Sequence, residues 1–311
     1  MGEGAVVGFI DTLSDEIVAA RQRANLTQEE LAARTGLSVR SIRNLESARV
    51  TQPRPATVRL LRDALDLPAR PAPSAGIRPM QLPLETPGFV GRSAQLAQLD
   101  RLLDGGPRRM SAVVICALTG HNGIGKTALA LHWAHRVAAR FADGVLHLDL
   151  RGSRPGEQAV AASDALGSLI QALDVPGEIP CDLAARAGLY RSALAGRRML
   201  IVLDDARDAD QVRPLLPGVA GCMVVVTSRD RLSCLVAGEA ARPVVVDELA
   251  PAEAWELLRS RLGERRLAGE REAVQRIIAH CAGVPRALTV VAAAAATHPR
   301  LSLEELASQL G

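Results

Sequence analysis

Aromatic residues are nearly missing, at 2% of 311 residues. So few rings leave no platform for stacking unpaired bases, which argues against a single-strand nucleic-acid binder. The five cysteines (Cys116, Cys181, Cys222, Cys234, Cys281) are scattered, odd in number and never spaced C-x-x-C. Such a set makes neither a zinc site nor a disulfide framework and fits a reducing cytosol. No basic-then-apolar signal pattern opens the chain. The longest apolar run, Ala287 to Thr297, falls short of the roughly 20 residues that cross a bilayer. These absences predict a soluble, cytoplasmic protein with no membrane partner. Lysine is almost absent as well: 36 of the 37 basic residues are arginine, and the single lysine is Lys126.

What is present is ample for folding. Hydrophobic residues make up 48% and the net charge is +3, so a sizeable core in two or three domains is expected. Charge is uneven along the chain. Between Arg21 and Arg62 stand nine arginines and three acids (Glu29, Glu30, Glu46), a local balance of +6. That stretch is compatible with a phosphate backbone or with a solvated helical surface.

Three regions separate by pattern. Residues 11–67 read as short helices with apolar residues at helical spacing. Residues 68–87 hold six prolines (68, 71, 73, 79, 83, 87) and read as a semi-extended linker. Residues 88–249 alternate apolar β-rich runs with helical stretches. The expected strands are Ala112–Leu118, Gly144–Leu150, Met199–Leu203, Met223–Thr227 and Val244–Val246, nearly continuous in apolar residues as in a parallel sheet covered on both faces. The expected helices between them include Lys126–Arg140, Ala159–Leu173 and Leu183–Leu194. This is a doubly wound α/β pattern. Residues 250–311 read as four helices, Glu253–Leu262, Glu270–Cys281, Arg286–Ala296 and Leu303–Leu310, forming a bundle.

The run Gly120-His121-Asn122-Gly123-Ile124-Gly125-Lys126-Thr127 follows the first expected strand and opens a helix, the context that a phosphate-binding P-loop requires. Its glycines let backbone N–H groups curl around phosphates, and the helix N-terminus, with Ala128 in its first turn, adds partial positive charge. Lys126 is placed for the β- and γ-phosphates of ATP, and Thr127 for Mg²⁺. A lysine ammonium fits between phosphate oxygens where a planar guanidinium does not, so the position of the only lysine supports a working site. The apolar run Met199–Leu203 ends in Asp204-Asp205 and matches a Walker B element. Asp204 is expected to hold the metal and Asp205 to orient or deprotonate the attacking water; the alternative is a solvated pair capping the next helix. One expected strand, Gly144–Leu150, is interposed between the two Walker elements. Arg229, after Met223–Thr227, is expected either to touch the γ-phosphate or to pair at the surface with Asp230 or Glu239.

Together these motifs resemble the NB-ARC family of STAND ATPases over roughly residues 88–311. Phe89-Val90-Gly91-Arg92 resembles the family's upstream h-h-G-R element, which implies adenine and ribose contacts from Val90, Gly91 and Arg92. The family's following Glu-x-Glu is replaced by Ser93-Ala94-Gln95. Thr227-Ser228-Arg229 resembles the T-[TS]-R motif, whose arginine senses the γ-phosphate. Gly283-Val284-Pro285-Arg286-Ala287-Leu288 resembles G-L-P-L-A-L, which implies that Pro285 packs on adenine. By the same pattern a winged-helix domain with an M-H-D motif and a repeat sensor should follow, whereas the sequence stops at Gly311. The resemblance implies binding of ATP and ADP with slow hydrolysis serving a switch; an AAA-like motor or loader in transposition or replication is the alternative.

Residues 27–46 read as a helix-turn-helix. Thr27 and Glu30 form a capping box, Gly36 supplies a left-handed turn residue, and Ser38 caps the second helix. Leu31, Leu37, Ile42 and Leu45 supply the core. The stretch 12–67 resembles the phage-repressor (Cro/XRE) helix-turn-helix family, including Leu26-Thr27-Gln28-Glu29-Glu30-Leu31-Ala32. That implies a recognition helix Ser38–Ser47 in double-stranded DNA. Val39, Arg40, Ser41, Arg43 and Asn44 would face bases, Gln28 and Arg49 would contact phosphates, and a homo-oligomer would read two half-sites.

Overall fold

The computed structural model describes residues 17–47, 55–65, 78–105, 113–154, 156–218 and 220–310. It divides into two compact units, Met1–Gly76 and Ile77–Gly311.

In the first unit, residues 17–23 are helical, followed by α1 (Gln28–Thr35), α2 (Val39–Glu46) and α3 (Pro55–Ala64). Thr27 Oγ1 accepts the Glu30 N–H and Glu30 accepts the Thr27 N–H, a complete capping box. Gly36 ends α1 at φ +70, a conformation that only a residue without Cβ adopts freely. Ile17, Leu31, Ile42, Leu45 and Leu61 are buried together, with Leu37 packed at their edge. The spacing of Ile42 and Leu45 turns one face of α2 into this core and leaves Arg40 and Arg43 exposed on the other.

The second unit is built on five parallel strands in the order β2-β3-β4-β1-β5. In chain order, α4 (Ser93–Asp104) leads to β1 (Val114–Thr119), α5 (Lys126–Val137), β2 (Gly144–Asp149), α6 (Ala162–Ala172), α7 (Leu183–Leu194), β3 (Met199–Ala206), the single turn α8 (Ala209–Val212), β4 (Met223–Ser228), α9 (Ser233–Gly238) and β5 (Arg242–Val245). Leu99 of α4 and Trp133 of α5 are buried against one face of the sheet, and Leu169 and Tyr190 of α6 and α7 against the other. The expected doubly wound sheet is therefore the observed one. In space β4, not β2, separates the strand before the P-loop from the strand carrying Asp204; β2 stands at the edge.

The stretch expected as a linker is described only in part. Its first part, 68–77, lies outside the described residues. From Arg78 onward it runs along the free edge of β2: Val145 donates to Pro79 O at 2.8 Å, and Gln81 to Val145 O at 3.1 Å. A sheet edge offers unpaired backbone groups, and this extended, proline-spaced segment satisfies some of them.

Among the described residues the helical region holds five helices where four were expected: α10 (Pro251–Leu262), α11 (Glu264–Gly269), α12 (Arg271–His280), α13 (Pro285–Thr297) and α14 (Leu303–Leu310). The additional α11 follows Gly263 directly and buries Leu267. Leu258, Val274, Ile277, Leu288 and Leu303 form the bundle's own core.

Candidate functional site

The carboxyl ends of β1, β3 and β4 open into a cleft of about 860 Å³ whose opposite wall is the helical bundle. Crevices at this end of a parallel α/β sheet are where such folds bind ligands.

The floor is the phosphate loop. Gly120, Gly123 and Gly125 all have positive φ, and Lys126 begins α5 at the loop's end. Lys126 Nζ donates to the carbonyls of Gly120 and His121, at 2.8 and 2.9 Å. Burial holds this ammonium below its ordinary pKa; the charge of Arg229 lowers it further, while Asp205 and Asp204 oppose the shift. Thr127 Oγ1 donates to Asp204 at 2.8 Å.

The end of β3 explains how two adjacent acids serve one cleft. The register of β3 against β4 shifts between Leu203 and Ala206, so that Asp204 and Asp205 together stand opposite Thr227. This is a β-bulge, which re-aims side chains next to a site. Asp205 adopts φ +54. Its N–H donates to Thr227 Oγ1 at 2.9 Å, and the same hydroxyl donates to Asp204 Oδ1. Asp204 is largely buried between Thr127 and Thr227. The Asp205 carboxylate accepts both the N–H and the hydroxyl of Ser153. Ser153 belongs to the loop after β2, which is pulled close by Gly152: its N–H donates to Asp205 O at 2.7 Å, and a Cβ there would meet Arg207 N at 2.2 Å.

Arg229 lines the cleft. The surface pairing expected as its alternative is absent among the described residues: Glu239 pairs with Arg213 at 2.6 Å, and Asp230 accepts the Leu232 N–H. The bundle side brings Pro285, Arg286 and Thr289 to the cleft. The Arg286 N–H donates to Gly123 O at 3.1 Å, which bonds the first turn of α13 directly to the phosphate loop.

The upstream segment sits differently from the simplest expectation. Val90 and Arg92 line the cleft, as do Asn122, Ile124 and Ala128; Gly91 and Gly120 do not. Both glycines are needed for close approach. A Cβ on Gly91 would lie 2.4 Å from Glu253 Oε1, and one on Gly120 would lie 2.5 Å from Val246 O. Arg92 is buried, which lowers its pKa, and a guanidinium stays charged regardless. It braces the loop from below by donating to Ile124 O at 2.9 Å and to Asp247 O. Its backbone N–H donates to Glu253 Oε1 at 2.8 Å, while Oε2 of the same carboxylate caps α10 at the Ala250 N–H.

Several lining residues escaped the sequence reading: Asp149, Ser153, Arg154, Arg261 and Arg286. For Ser153 a usable signal exists, since Arg151-Gly152-Ser153 follows a parallel strand at the ligand-binding end of the sheet.

In the helix-turn-helix unit, Arg40 and Arg43 are exposed and Val39, Ser41 and Asn44 half-buried. Ser38 Oγ accepts the Ser41 N–H at 3.1 Å. Gln28 is engaged within the protein: its Nε2 donates to Glu46 at 2.7 Å, and its Oε1 faces Arg43 Nε at 3.5 Å. Arg49 lies outside the described residues.

Sheet order, phosphate loop, bulged acidic strand end and facing helical bundle define a P-loop ATPase fold, which is a nucleotide-binding fold. The NB-ARC domain model matches residues 96–268, more than half of the chain, and the chain belongs to that family. A helix-turn-helix model matches residues 17–70. The regulatory protein AfsR of Streptomyces coelicolor is 40% identical over 241 residues, covering 76% of this chain and 24% of the relative. AfsR of Streptomyces griseus is 40% identical over 242 residues, covering 77% and 24%. The chain thus spans about a quarter of the length of these curated relatives. Among solved structures, a Walker-type ATPase of Pyrococcus abyssi superposes with a TM-score of 0.50 at 12% identity, covering 76% of this chain and 74% of that one, a likeness of fold. No helix among the described residues is long and apolar enough to cross a membrane.

Proposed function

We propose that this protein is a nucleotide-switched, DNA-binding transcriptional regulator that binds ATP or ADP with Mg²⁺ and hydrolyses ATP slowly in the cytoplasm. The observation that carries the reading is the bond from the Arg286 N–H, at the start of the bundle helix α13, to Gly123 O of the phosphate loop. A loop that rearranges around a γ-phosphate moves a bond to the bundle, and a few such contacts can bias a two-state element.

The residues fit the ligands. Thr127 and Asp204 offer adjoining oxygens, the donor type that Mg²⁺ takes alongside phosphates and water. Bound there, Mg²⁺ would neutralise phosphate charge. Lys126 and Arg229 supply positive charge at the same end, and Val90 and Pro285 supply apolar wall for the base. Asp205 is the group placed to orient water. Its carboxylate is already held by Ser153, which supports slow turnover. The N-terminal unit supplies the output: α2 presents Arg40 and Arg43 in the manner of a helix that enters the major groove, and two half-sites call for a dimer. Two AfsR proteins bearing the word "regulatory" in their names, at 40% identity, support the same direction.

The test is a DNA-binding titration of the whole chain with duplexes selected from a random pool, in Mg²⁺ with ADP and with a non-hydrolysable ATP analogue. The reading requires different affinities in the two states and a steep salt dependence in the tighter one. Equal affinities in both states overturn the switch. Brisk, DNA-stimulated hydrolysis in a parallel turnover assay would replace the regulator with a motor.

A further inference from the structure

Among the charged cleft residues to which the proposed nucleotide site gives no role is Arg286. Arg286 occupies the position of the second leucine in G-L-P-L-A-L. Its backbone is fixed by the bond to Gly123 O, and a Cβ on Gly123 would stand 3.0 Å from Arg286 Cβ. The stem of this side chain therefore starts against the crown of the phosphate loop, and Arg286, an exposed residue, lines the same cleft as Lys126, Asp204 and Arg229. Two other cleft arginines are committed elsewhere. Arg92 is committed to the Asp247 and Ile124 carbonyls, and Arg154 pairs with Asp149 and Glu157. Arg286 has no carboxylate within ion-pair distance and no side-chain hydrogen bond among the described residues.

We infer that Arg286 is a phosphate-binding residue delivered from the helical bundle, and that it makes the site prefer a nucleoside triphosphate over the diphosphate. The inference rests on the nucleotide reading above. Its physical basis is charge arithmetic at a fixed place. Lys126, bonded to the Gly120 and His121 carbonyls, and Arg229 are the other cations at the phosphate end, and an added γ-phosphate brings negative charge and three acceptor oxygens. A guanidinium presents planar donors suited to phosphate. Because this donor rides on α13, engaging it draws the bundle onto the loop, whereas a diphosphate leaves it unengaged. The family's leucine at this position packs but carries no charge. In this chain the segment therefore ties the bundle to the number of phosphates as well as to the base.

The experiment measures calorimetric affinities of the whole chain for MgADP and for Mg²⁺ with a non-hydrolysable ATP analogue, in the wild type, Arg286→Leu and Arg286→Lys. Leucine retains the family's packing, and thermal melting without nucleotide checks that the fold is kept. The expected result for Arg286→Leu is a loss of about tenfold or more in triphosphate affinity, the scale of one charge-assisted hydrogen bond. MgADP affinity should change less than about threefold, and Arg286→Lys should recover part of the loss. An equal loss for both nucleotides, or no loss for either, overturns the inference while leaving nucleotide binding intact. If the wild type binds neither nucleotide, the underlying reading fails and the inference fails with it.

Discussion

Thr227 donates its hydroxyl hydrogen to Asp204 Oδ1 at 2.5 Å from directly across a bulge in β3. Thr227 Oγ1 in turn accepts the Asp205 N–H, so one side chain sets the orientation of the proposed metal ligand and closes the irregular ladder. Thr227→Val keeps the shape but removes both bonds. The expected outcome is a destabilisation of about 1–3 kcal/mol, because a buried donor and a buried carboxylate lose their partner. Turnover with Mg²⁺ should fall about tenfold, while nucleotide affinity in EDTA stays close to wild type. An unchanged Mg²⁺ dependence would remove Thr227 from the metal's surroundings.

Gly91 and Glu253 form a second tight pair. Gly91 has φ +69, and a Cβ there would lie 2.4 Å from Glu253 Oε1. Gly91→Ala should cost about 1–3 kcal/mol from backbone strain alone, with the clash added. Glu253→Ala removes the cap of α10 and the acceptor for the Arg92 N–H, at about 1–3 kcal/mol. Because the clash disappears when Glu253 is truncated, the double variant should be more stable than the sum of the singles predicts. Strict additivity in denaturant melts would show that the two residues do not meet.

The contrast between these pairs and the phosphate loop shows what a linear reading can reach. Gly120 to Thr127 is legible because strand, loop and helix are contiguous and each local choice agrees with the next. The helix-turn-helix is legible for the same reason: Thr27, Glu30, Gly36 and Ser38 all act within four residues of themselves. Ser153 reaches Asp205 across 52 residues of chain and Arg92 reaches Glu253 across 161. No periodicity records such contacts, which exist only once the strand order is set. The described end of the expected linker shows the same limit. Prolines at 79 and 83 describe an extended chain correctly, and that extended chain binds the open edge of β2.

Lys126 offers a substitution with a sharp expectation. It is largely buried, and its ammonium is surrounded by the Gly120 and His121 carbonyls. Lys126→Arg preserves charge but replaces a compact ammonium with a larger planar group. Affinity for Mg²⁺ with a non-hydrolysable ATP analogue should fall about as far as in Lys126→Ala, by roughly a hundredfold. Wild-type affinity in Lys126→Arg would show that charge alone, and not ammonium shape, serves the phosphates.

In the N-terminal unit, Glu46 provides a pH dependence. Burial pushes this carboxylate up, but hydrogen bonds from Arg21 and Gln28 outweigh it, and its pKa falls below the ordinary 4.5. A depressed carboxylate contributes stability that is present above its unfolded pKa and lost as pH falls through the folded value. Hydrogen exchange of α1 and α2 amides in the whole chain should therefore accelerate as pH drops below about 4.5, after correction for intrinsic rates. Glu46→Gln should start less protected at neutral pH and lose less on acidification. Equal acid sensitivity in the two proteins would assign the effect to other groups.

Arg43 and Arg40 stand on the exposed face of α2, but only Arg43 lies beside Gln28, which Glu46 holds in turn. Arg43 is thus steadied from within the protein, whereas Arg40 has no such bond among the described residues, and a steadied guanidinium loses less freedom when it reads a base edge. Arg43→Ala should cost about 1–3 kcal/mol on a selected duplex and relax preference at one base pair. Arg40→Ala should weaken selected and random duplexes alike and lower the salt slope by about one. Titrations at several salt concentrations on both duplexes separate these outcomes. Because Gln28 is tied to Glu46, Gln28→Ala should resemble a mild Arg43→Ala in its loss of preference, with the salt slope unchanged. A change in slope without a change in preference would instead make Gln28 a direct phosphate contact.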